Sequence, residues 1–109
     1  MTRPQADLLQ GTLDLLVLRT LALGPLHGWA IGKRIRERSR DVLQVNQGSL
    51  YPALYRLEDR GLIEATWGES PEGRRVKMYA LTREGRRHLK SEQQNWAVFV
   101  EAVGYVLAT

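Results

Sequence analysis

Apolar residues recur with the 3.6-residue period of an α-helix from residue 8 to residue 23. They form two stripes rather than one, so a helix here must bury two faces. In a chain of only 109 residues, one of those faces is expected to meet another chain. Gly24 and Pro25 end the helix. The first stripe holds Leu9, Leu13, Leu16, Val17 and Leu21, and the second holds Leu8, Leu15, Leu18 and Ala22.

Two further helices are predicted over residues 27–39 and 47–60, with a short extended segment at 41–46 between them. The second of these helices has a leucine-rich face and ends at Gly61. Pro52 must lie in or near its first turn, where a missing backbone N–H costs least. Leu50, Ala53, Leu54 and Leu57 form its leucine-rich face, and Tyr51, Pro52, Tyr55, Arg56 and Asp59 lie opposite or on the flanks.

Residues 62–68 and 75–82 alternate with the two-residue period of β-strands, and a turn-rich segment joins them. This pattern predicts a β-hairpin. Because side chains point to alternate faces along a strand, Arg75 and Lys77 share one face, with Arg74 at its entrance.

A last helix is predicted from the N-cap Thr82 to about Leu107. Leu89, Trp96 and Val103 recur along it every seven residues, as at one core position of a coiled coil. A helix of roughly 25 residues is too long to be covered by a body of about 80 residues, so a partner helix is expected. Phe99, Val100, Val106 and Leu107 fill the complementary positions of this seam.

Positive charge is concentrated in the middle of the chain. The sequence has 16 lysines and arginines against 12 aspartates and glutamates, which gives a net charge of +4. Five of the 16 basic residues lie in 33–40 and seven in 74–90, whereas 91–109 contains none. Small basic domains tend to bind polyanions, so the middle of the chain is the candidate surface for nucleic acid.

Several classes of protein are excluded by what the sequence lacks. The chain has no cysteine, which excludes disulfides, thiolate metal sites and thiol redox sensing and fits a reducing cytoplasm. Its apolar stretches are far shorter than the ~18 residues of a membrane span, and its start lacks a signal-peptide layout. His27 and His88 are isolated, and no phosphate-binding glycine loop or metal-ligand spacing is present. We therefore expect a cytoplasmic protein that is not an enzyme and uses no metal or cofactor.

The order of the predicted elements is that of a winged helix-turn-helix. Three helices, a hairpin and a long final helix make a mainly α-helical α+β fold with a small β-hairpin. In such proteins the third helix enters the major groove of DNA, and the hairpin, called the wing, lies along the backbone. The predicted organisation is a DNA-binding domain at 1–81 and a dimerisation helix at 82–109.

Three blocks carry a more specific signal: HGWAIGKRIRERS (27–39), GSLYPALYRLEDRGLIEA (48–65) and GRRVKMYALTREG (73–85). Their content and order resemble the PadR family of bacterial transcriptional regulators, and the resemblance spans about residues 8–107. Trp29, Val76 and Met78 depart from the residues common in that family, and the last two could alter contacts of the wing to phosphate.

The resemblance implies a homodimeric repressor whose single C-terminal helix mediates dimerisation. In some members of this short architecture, a tryptophan on that helix faces its dimer mate across a hydrophobic pore that stacks flat aromatic ligands. Trp96 lies at the corresponding position, so a small aromatic or hydrophobic effector is expected at the dimer interface. Val100 replaces an acidic residue often found one turn later. Alternatively, Trp96 only packs in the dimer seam.

We predict DNA contacts from the third helix, the wing and the second helix. Alternatively, the tyrosines of the third helix pack against neighbouring elements and Arg56 is solvated. Ser49 could instead cap the third helix, and His27 could cap the second. The predicted DNA-binding residues are Gln47, Gly48, Ser49, Tyr51, Pro52, Tyr55, Arg56, Arg74, Arg75, Lys77, His27 and Arg34.

The predicted partners are a near-palindromic DNA duplex and a second copy of the chain. The alternative function is a winged-helix module that binds protein and does not read DNA sequence. The predicted dimer and effector surface comprises Leu8, Leu15, Leu89, Trp96, Phe99, Val100 and Val103.

Overall fold

The structure, a computed structural model, describes residues 10–109. Its four helices and three strands form an α+β fold in the winged-helix order, as the sequence predicts. Leu8 and Leu9 of the predicted first helix lie outside the described residues. The elements are α1 Gln10–Leu21, β1 Leu26–His27, α2 Gly28–Arg38, α3 Gln47–Asp59, β2 Ile63–Glu69, β3 Arg75–Leu81 and α4 Arg83–Ala108.

The core lies between the first three helices and the inner face of the sheet. Both predicted stripes of α1 contribute to it, because Leu13 of the first and Leu18 of the second are buried. Leu15 of the second stripe is only half-buried. Most of α1 is therefore covered by its own chain, and less of it remains for a partner than the sequence suggests. The buried apolar residues are Leu13, Val17, Leu18, Leu21, Ile31, Ile35, Leu50, Ala53, Leu54, Leu57, Leu62, Ile63, Tyr79 and Leu89.

The predicted hairpin is present, but the sheet has a third strand and the order β1–β3–β2. β1 pairs antiparallel with β3, with Leu26 opposite Tyr79 and His27 opposite Met78. The sequence pattern could not reveal β1, because two residues are too few to show an alternation. This pairing ties the start of α2 directly to the wing.

The segment 41–46 does not form a strand. Arg40 and Asp41 have positive φ angles of 55° and 64° and turn the chain sharply after α2. The hydroxyl of Ser39 accepts a hydrogen bond from the N–H of Leu43 at 3.0 Å and holds this turn. The connection between α2 and α3 is therefore a side-chain-stabilised loop.

The long helix α4 begins where the sequence predicts. The Thr82 hydroxyl accepts from the N–H of Gly85 at 3.0 Å and donates to the carbonyl of Gly61 at 2.7 Å. A β-carbon at Gly85 would collide with the carbonyl of Leu62, so the glycine allows α4 to start against the sheet. At 26 residues, α4 is ~39 Å long. Every residue from 93 to 109 is exposed, although α4 still lines a cleft with α1 as far as Phe99, so the part after Phe99 extends beyond the body.

Candidate nucleic-acid interface

The first turn of α3 is exposed and is capped by a residue outside the predicted set. Asn46 Oδ1 accepts a hydrogen bond from the N–H of Ser49 at 2.9 Å. The alternative that Ser49 caps this helix is therefore wrong. Gln47, Gly48 and Ser49 are exposed in the first turn, and Pro52 is exposed one turn further on. The positive end of a helix dipole at such a turn favours an anion such as phosphate.

Tyr51 and Tyr55 lie on the face of α3 opposite the buried leucines, as predicted. Tyr55 is 72% exposed and projects freely, whereas Tyr51 is 44% exposed and packs against the start of α2. A β-carbon at Gly28 would be 2.8 Å from the Tyr51 hydroxyl oxygen. The absence of a side chain at Gly28 therefore allows Tyr51 to lie against α2 with its outer edge still exposed.

Arg56 does not share the exposed face with the tyrosines. Its guanidinium Nη2 lies 2.9 Å from Oδ1 of Asp14 on α1, and the Asp14 side chain is only 15% exposed. The Arg56 side chain is therefore held in an ion pair rather than simply solvated, and its contact with DNA stays a prediction. Sequence pattern could not reveal the pair because its partners are 42 residues apart.

The wing presents its cations beside an aromatic ring. Trp67 on β2 lies opposite Lys77 on β3, so both side chains are on one face of the hairpin. The Arg75 guanidinium lies over the Trp67 ring, 4.7 Å from its centroid. Arg74 ends the hairpin loop. Its carbonyl accepts a hydrogen bond from the Ser70 N–H at 2.8 Å, and its own N–H donates to the Ser70 hydroxyl Oγ at 3.1 Å. The common face of Arg75 and Lys77 predicted from the alternation is confirmed.

One groove of about 880 Å³ brings the start of α2, the start of α3 and the wing together. It lies between secondary-structure elements that are far apart in sequence, and five of the predicted residues line it. Trp29 and Trp67 are not among the residues predicted from the sequence, although both are more than half exposed and line the same groove. Their solvent exposure would have identified them as candidate site residues, but exposure cannot be read from a sequence. The five predicted residues in the groove are His27, Tyr51, Arg74, Arg75 and Lys77.

His27 is at the N-cap position of α2, but its side chain makes no capping hydrogen bond within the described residues. The imidazole instead stacks on the indole of Trp29, with 6.1 Å between ring centroids. The Lys33 ammonium nitrogen Nζ lies over the Trp29 ring, 5.1 Å from its centroid. The alternative that His27 is part of the α2 cap is therefore correct for its position, while its side chain belongs to the aromatic wall of the groove.

The basic residues of α2 are spread around the helix. Arg34 is half-buried and lines a second depression of about 740 Å³ together with Glu37 and Glu69. Lys33 forms an exposed ion pair with Glu37 at 3.9 Å. This depression adjoins the groove that holds the wing cations, since His27 and Trp29 line both, but Arg34 itself does not line that groove.

Tyr79 forms the buried base of the groove, on the same strand face as Arg75 and Lys77. Burial, together with the nearby Glu58 and Tyr51, raises the pKa of the Tyr79 hydroxyl above its ordinary value. The hydroxyl therefore stays neutral across the physiological pH range.

The second surface of interest is on α4. Trp96, Phe99, Val100 and Val103 are between 38% and 59% exposed and follow one side of the helix. Trp96 and Phe99 are in contact, with ring centroids 5.8 Å apart. This surface agrees with the predicted seam for these four residues.

Leu89 and Leu15, two other members of the predicted dimer surface, are less exposed than these four residues. Leu89 is only 5% exposed and belongs to the core of its own chain, because α4 still packs on the body at this point, so its assignment to the seam is wrong. Leu15 is half-buried beside Trp96 and Phe99 and lines a cleft of about 170 Å³ with them. Leu8 lies outside the described residues.

Within residues 10–109, no group of three histidine or carboxylate side chains could hold a metal ion. In the same part of the chain, no helix combines the length and apolar character that crossing a membrane requires.

The element order, the exposed start of α3 and the cationic wing define a winged helix-turn-helix of the DNA-binding class. A sequence profile of the Transcriptional regulator PadR-like family matches residues 17–91. The chain belongs to this family of transcriptional regulators, as the three sequence blocks indicated. PadR-like regulators are DNA-binding proteins without enzymatic activity.

Solved structures of transcriptional regulators, two of them from the PadR family, have the same architecture. A PadR family regulator from Eggerthella lenta is 33% identical, with a TM-score of 0.78 over 92% of this chain and 85% of that one. A PadR family regulator from Clostridium difficile is 32% identical, with a TM-score of 0.76 over 87% of this chain and 97% of that one. A transcriptional regulator from Clostridium thermocellum is 28% identical, with a TM-score of 0.81 over 91% and 96% of the two chains.

Proposed function

We propose that the protein is a homodimeric repressor that places α3 in the major groove of DNA and its wing along the backbone. The observation that carries this proposal is the groove shared by Tyr51 and the wing cations. An α-helix matches the major groove in width. The cations Arg74, Arg75 and Lys77 are exposed beside it, where they can neutralise phosphates.

The proposal assigns different tasks to the two parts of the surface. Gln47 and Tyr55 are exposed on α3 and would reach base edges, whereas the wing cations would contact phosphates without reading sequence. Tyr51 would contact the backbone or a base with the edge that faces away from Gly28. Arg56 has no place in this set, because its guanidinium is paired with Asp14.

The test is selection of duplexes from a random-sequence library, followed by affinity measurements on a selected duplex and on random duplex. The proposal expects tight binding to the selected duplex that random duplex does not compete away. Failure to enrich any sequence, with the protein folded, would contradict the proposal and favour the protein-binding winged-helix module.

The dimer part of the proposal is supported by the apolar side of α4. Exposed contiguous apolar surface on a helix of this length is typical of an interface with another helix. A C2 dimer through α4 would place two recognition helices about 34–36 Å apart, so the operator would be near-palindromic. Light scattering should give twice the chain mass, and Val103→Asp should give the chain mass while the circular dichroism spectrum stays helical.

The effector part of the proposal is supported by the exposed contact of Trp96 with Phe99. A small aromatic or hydrophobic molecule could stack on these rings in the dimer and shift the population of dimer geometries that bind DNA. The probe is 2-naphthol, with tryptophan fluorescence as the signal. Quenching that survives in a Trp29→Phe/Trp67→Phe variant and is lost in Trp96→Ala supports a ligand wall. No quenching in a proven dimer supports simple packing.

Repression would follow from occupying the operator and excluding the transcription machinery. Such a protein acts where the bacterial chromosome is, so the proposal includes a cytoplasmic location. A reporter driven by a promoter that contains the selected duplex should be silenced when the protein is supplied. An increase in reporter output would indicate an activator.

A further inference from the structure

The ion pair between Asp14 and Arg56 joins the recognition helix to α1. Its two partners lie 2.9 Å apart, with side chains 15% and 33% exposed. By contrast, Lys33–Glu37 and Arg87–Glu84 join residues on one helix and are at least half exposed. A pair this sheltered holds its partners in a defined geometry, because bulk water screens the attraction less.

Asp14 is the polar partner that the structure gives the buried part of the Arg56 side chain. The Arg56 Nε is buried and has no hydrogen-bond partner among residues 10–109. Because burying a charge without its partner is costly, removal of Asp14 would leave the guanidinium without compensation. Arg56 would then turn its guanidinium toward solvent, and the link that joins this turn of α3 to α1 would be lost.

The same helix α1 also contacts α4. Gly11, Thr12 and Leu15 line the cleft in which Trp96 and Phe99 of α4 lie. These positions are within one turn of Asp14 and face a neighbouring side of the helix. α1 is therefore held between the recognition helix and the long helix.

We infer that Asp14 is a positioning residue for DNA binding: its pair with Arg56 sets the position of α3 relative to α1 and α4. This inference rests on the proposed function. In a dimer built on α4, the position of α3 relative to α4 decides the spacing of the two recognition helices. A duplex with fixed half-site spacing depends on that distance, whereas random duplex depends mainly on charge.

The experiment measures the affinity of the full chain for the selected duplex and for random duplex at several salt concentrations. Asp14→Asn, Arg56→Gln and the double variant are each expected to lower the ratio of the two affinities about tenfold, the scale of a coupling between sites. The double variant should be no worse than Arg56→Gln, since the two residues act as one unit. Arg56→Lys should keep the ratio within about threefold, because it keeps a cation near Asp14.

Asp59→Asn is the matched control, because it removes the same charge from an exposed position on α3. Loss of a negative charge alone strengthens binding to DNA, so a weaker Asp14→Asn complex beside an unchanged or stronger Asp59→Asn complex supports positioning. Thermal unfolding of each variant shows that it is folded at the assay temperature.

Two results would overturn the inference. If Arg56→Gln lowers the salt slope by about one and Asp14→Asn leaves binding unchanged or tighter, Arg56 is a direct phosphate contact. If unfolding temperatures fall but the affinity ratio stays constant, the pair only stabilises the fold. A wild-type protein that does not distinguish selected from random duplex would refute the proposed function itself, and this outcome is visible before any variant is made.

Discussion

The hydroxyl of Tyr51 lies over Gly28, where a β-carbon would be 2.8 Å from the oxygen and 2.9 Å from the ring carbon Cε1. The recognition helix and the start of α2 therefore approach each other through a tyrosine and a glycine. β1, which precedes Gly28, also pairs with the wing strand β3. The start of α2, the recognition helix and the wing, which form the proposed DNA-binding surface, therefore meet at a position that has no side chain.

Gly28→Ala should push Tyr51 out of its position. Because Tyr51 is partly exposed and can rotate away, we expect a stability loss below about 1 kcal/mol, at the low end for overpacking. DNA affinity should fall by about 1 kcal/mol or more, the value of a misplaced contact. Gly32→Ala on the same helix is the control, since its β-carbon would meet Leu50 at an ordinary 3.5 Å. Equal DNA affinity of the two variants would contradict the prediction.

The wing cations should act through phosphates. Lys77→Gln and Arg75→Gln are each expected to weaken binding to all duplexes alike and to lower the salt slope by about one. Arg87→Gln removes the same charge from an exposed ion pair on α4 and should leave the slope nearly unchanged. Filter binding or fluorescence anisotropy at four salt concentrations measures the slope. A change in sequence preference at constant slope would show that the wing reads bases.

Asn46 should stabilise α3 as its N-cap. Asn46→Ala is expected to lower the free energy of unfolding by about 1 kcal/mol, because one backbone N–H of the first turn loses its acceptor. Ser49→Ala should be nearly neutral for stability, since Ser49 only contributes its backbone N–H to the cap. Urea unfolding of the two variants provides the comparison, and the reverse order would make Ser49 the cap.

Substitutions at Leu89 and Val103 should have different effects, the first on the stability of the fold and the second on dimerisation. Leu89→Ala is expected to cost about 2–5 kcal/mol of unfolding free energy, as for a large buried side chain. Val103→Ala should leave the stability of each chain nearly unchanged and weaken the proposed dimer. Sedimentation over a concentration series, together with unfolding at concentrations where each variant is monomeric, distinguishes the two effects.

Tyr79 should make stability depend on alkaline pH. Its hydroxyl has a raised pKa in the folded state, chiefly through burial, so the folded state retains the proton to higher pH than the unfolded state does. The stabilisation is fully present below the unfolded pKa of about 10 and is lost as pH rises through the folded pKa. Tyr79→Phe should therefore lose less stability than wild type between about pH 9.5 and 11 in urea titrations. Parallel pH curves for the two proteins would contradict this.

Local patterns were sufficient for the helices, the hairpin and several of their ends. The Thr82 cap, the end of α3 near Gly61 and the common face of Arg75 and Lys77 depend on residues within one turn or one hairpin of each other. The same patterns did not reveal β1, whose pairing partner lies some 50 positions away along the chain. They also assigned Leu89 to a partner chain, although its own body covers it.

The sequence by itself determined the winged-helix order, the family and the basic middle of the chain, because periodicity, turn residues and motif spacing are properties of neighbouring residues. Only the tertiary structure decided which of the candidate residues share a surface. Tyr51 and the wing cations line one groove, whereas Arg56 is not among its lining residues and is paired with Asp14. The two residues are 42 positions apart and meet only because α1 and α3 pack together. A local pattern of polar and apolar residues cannot predict such a pair.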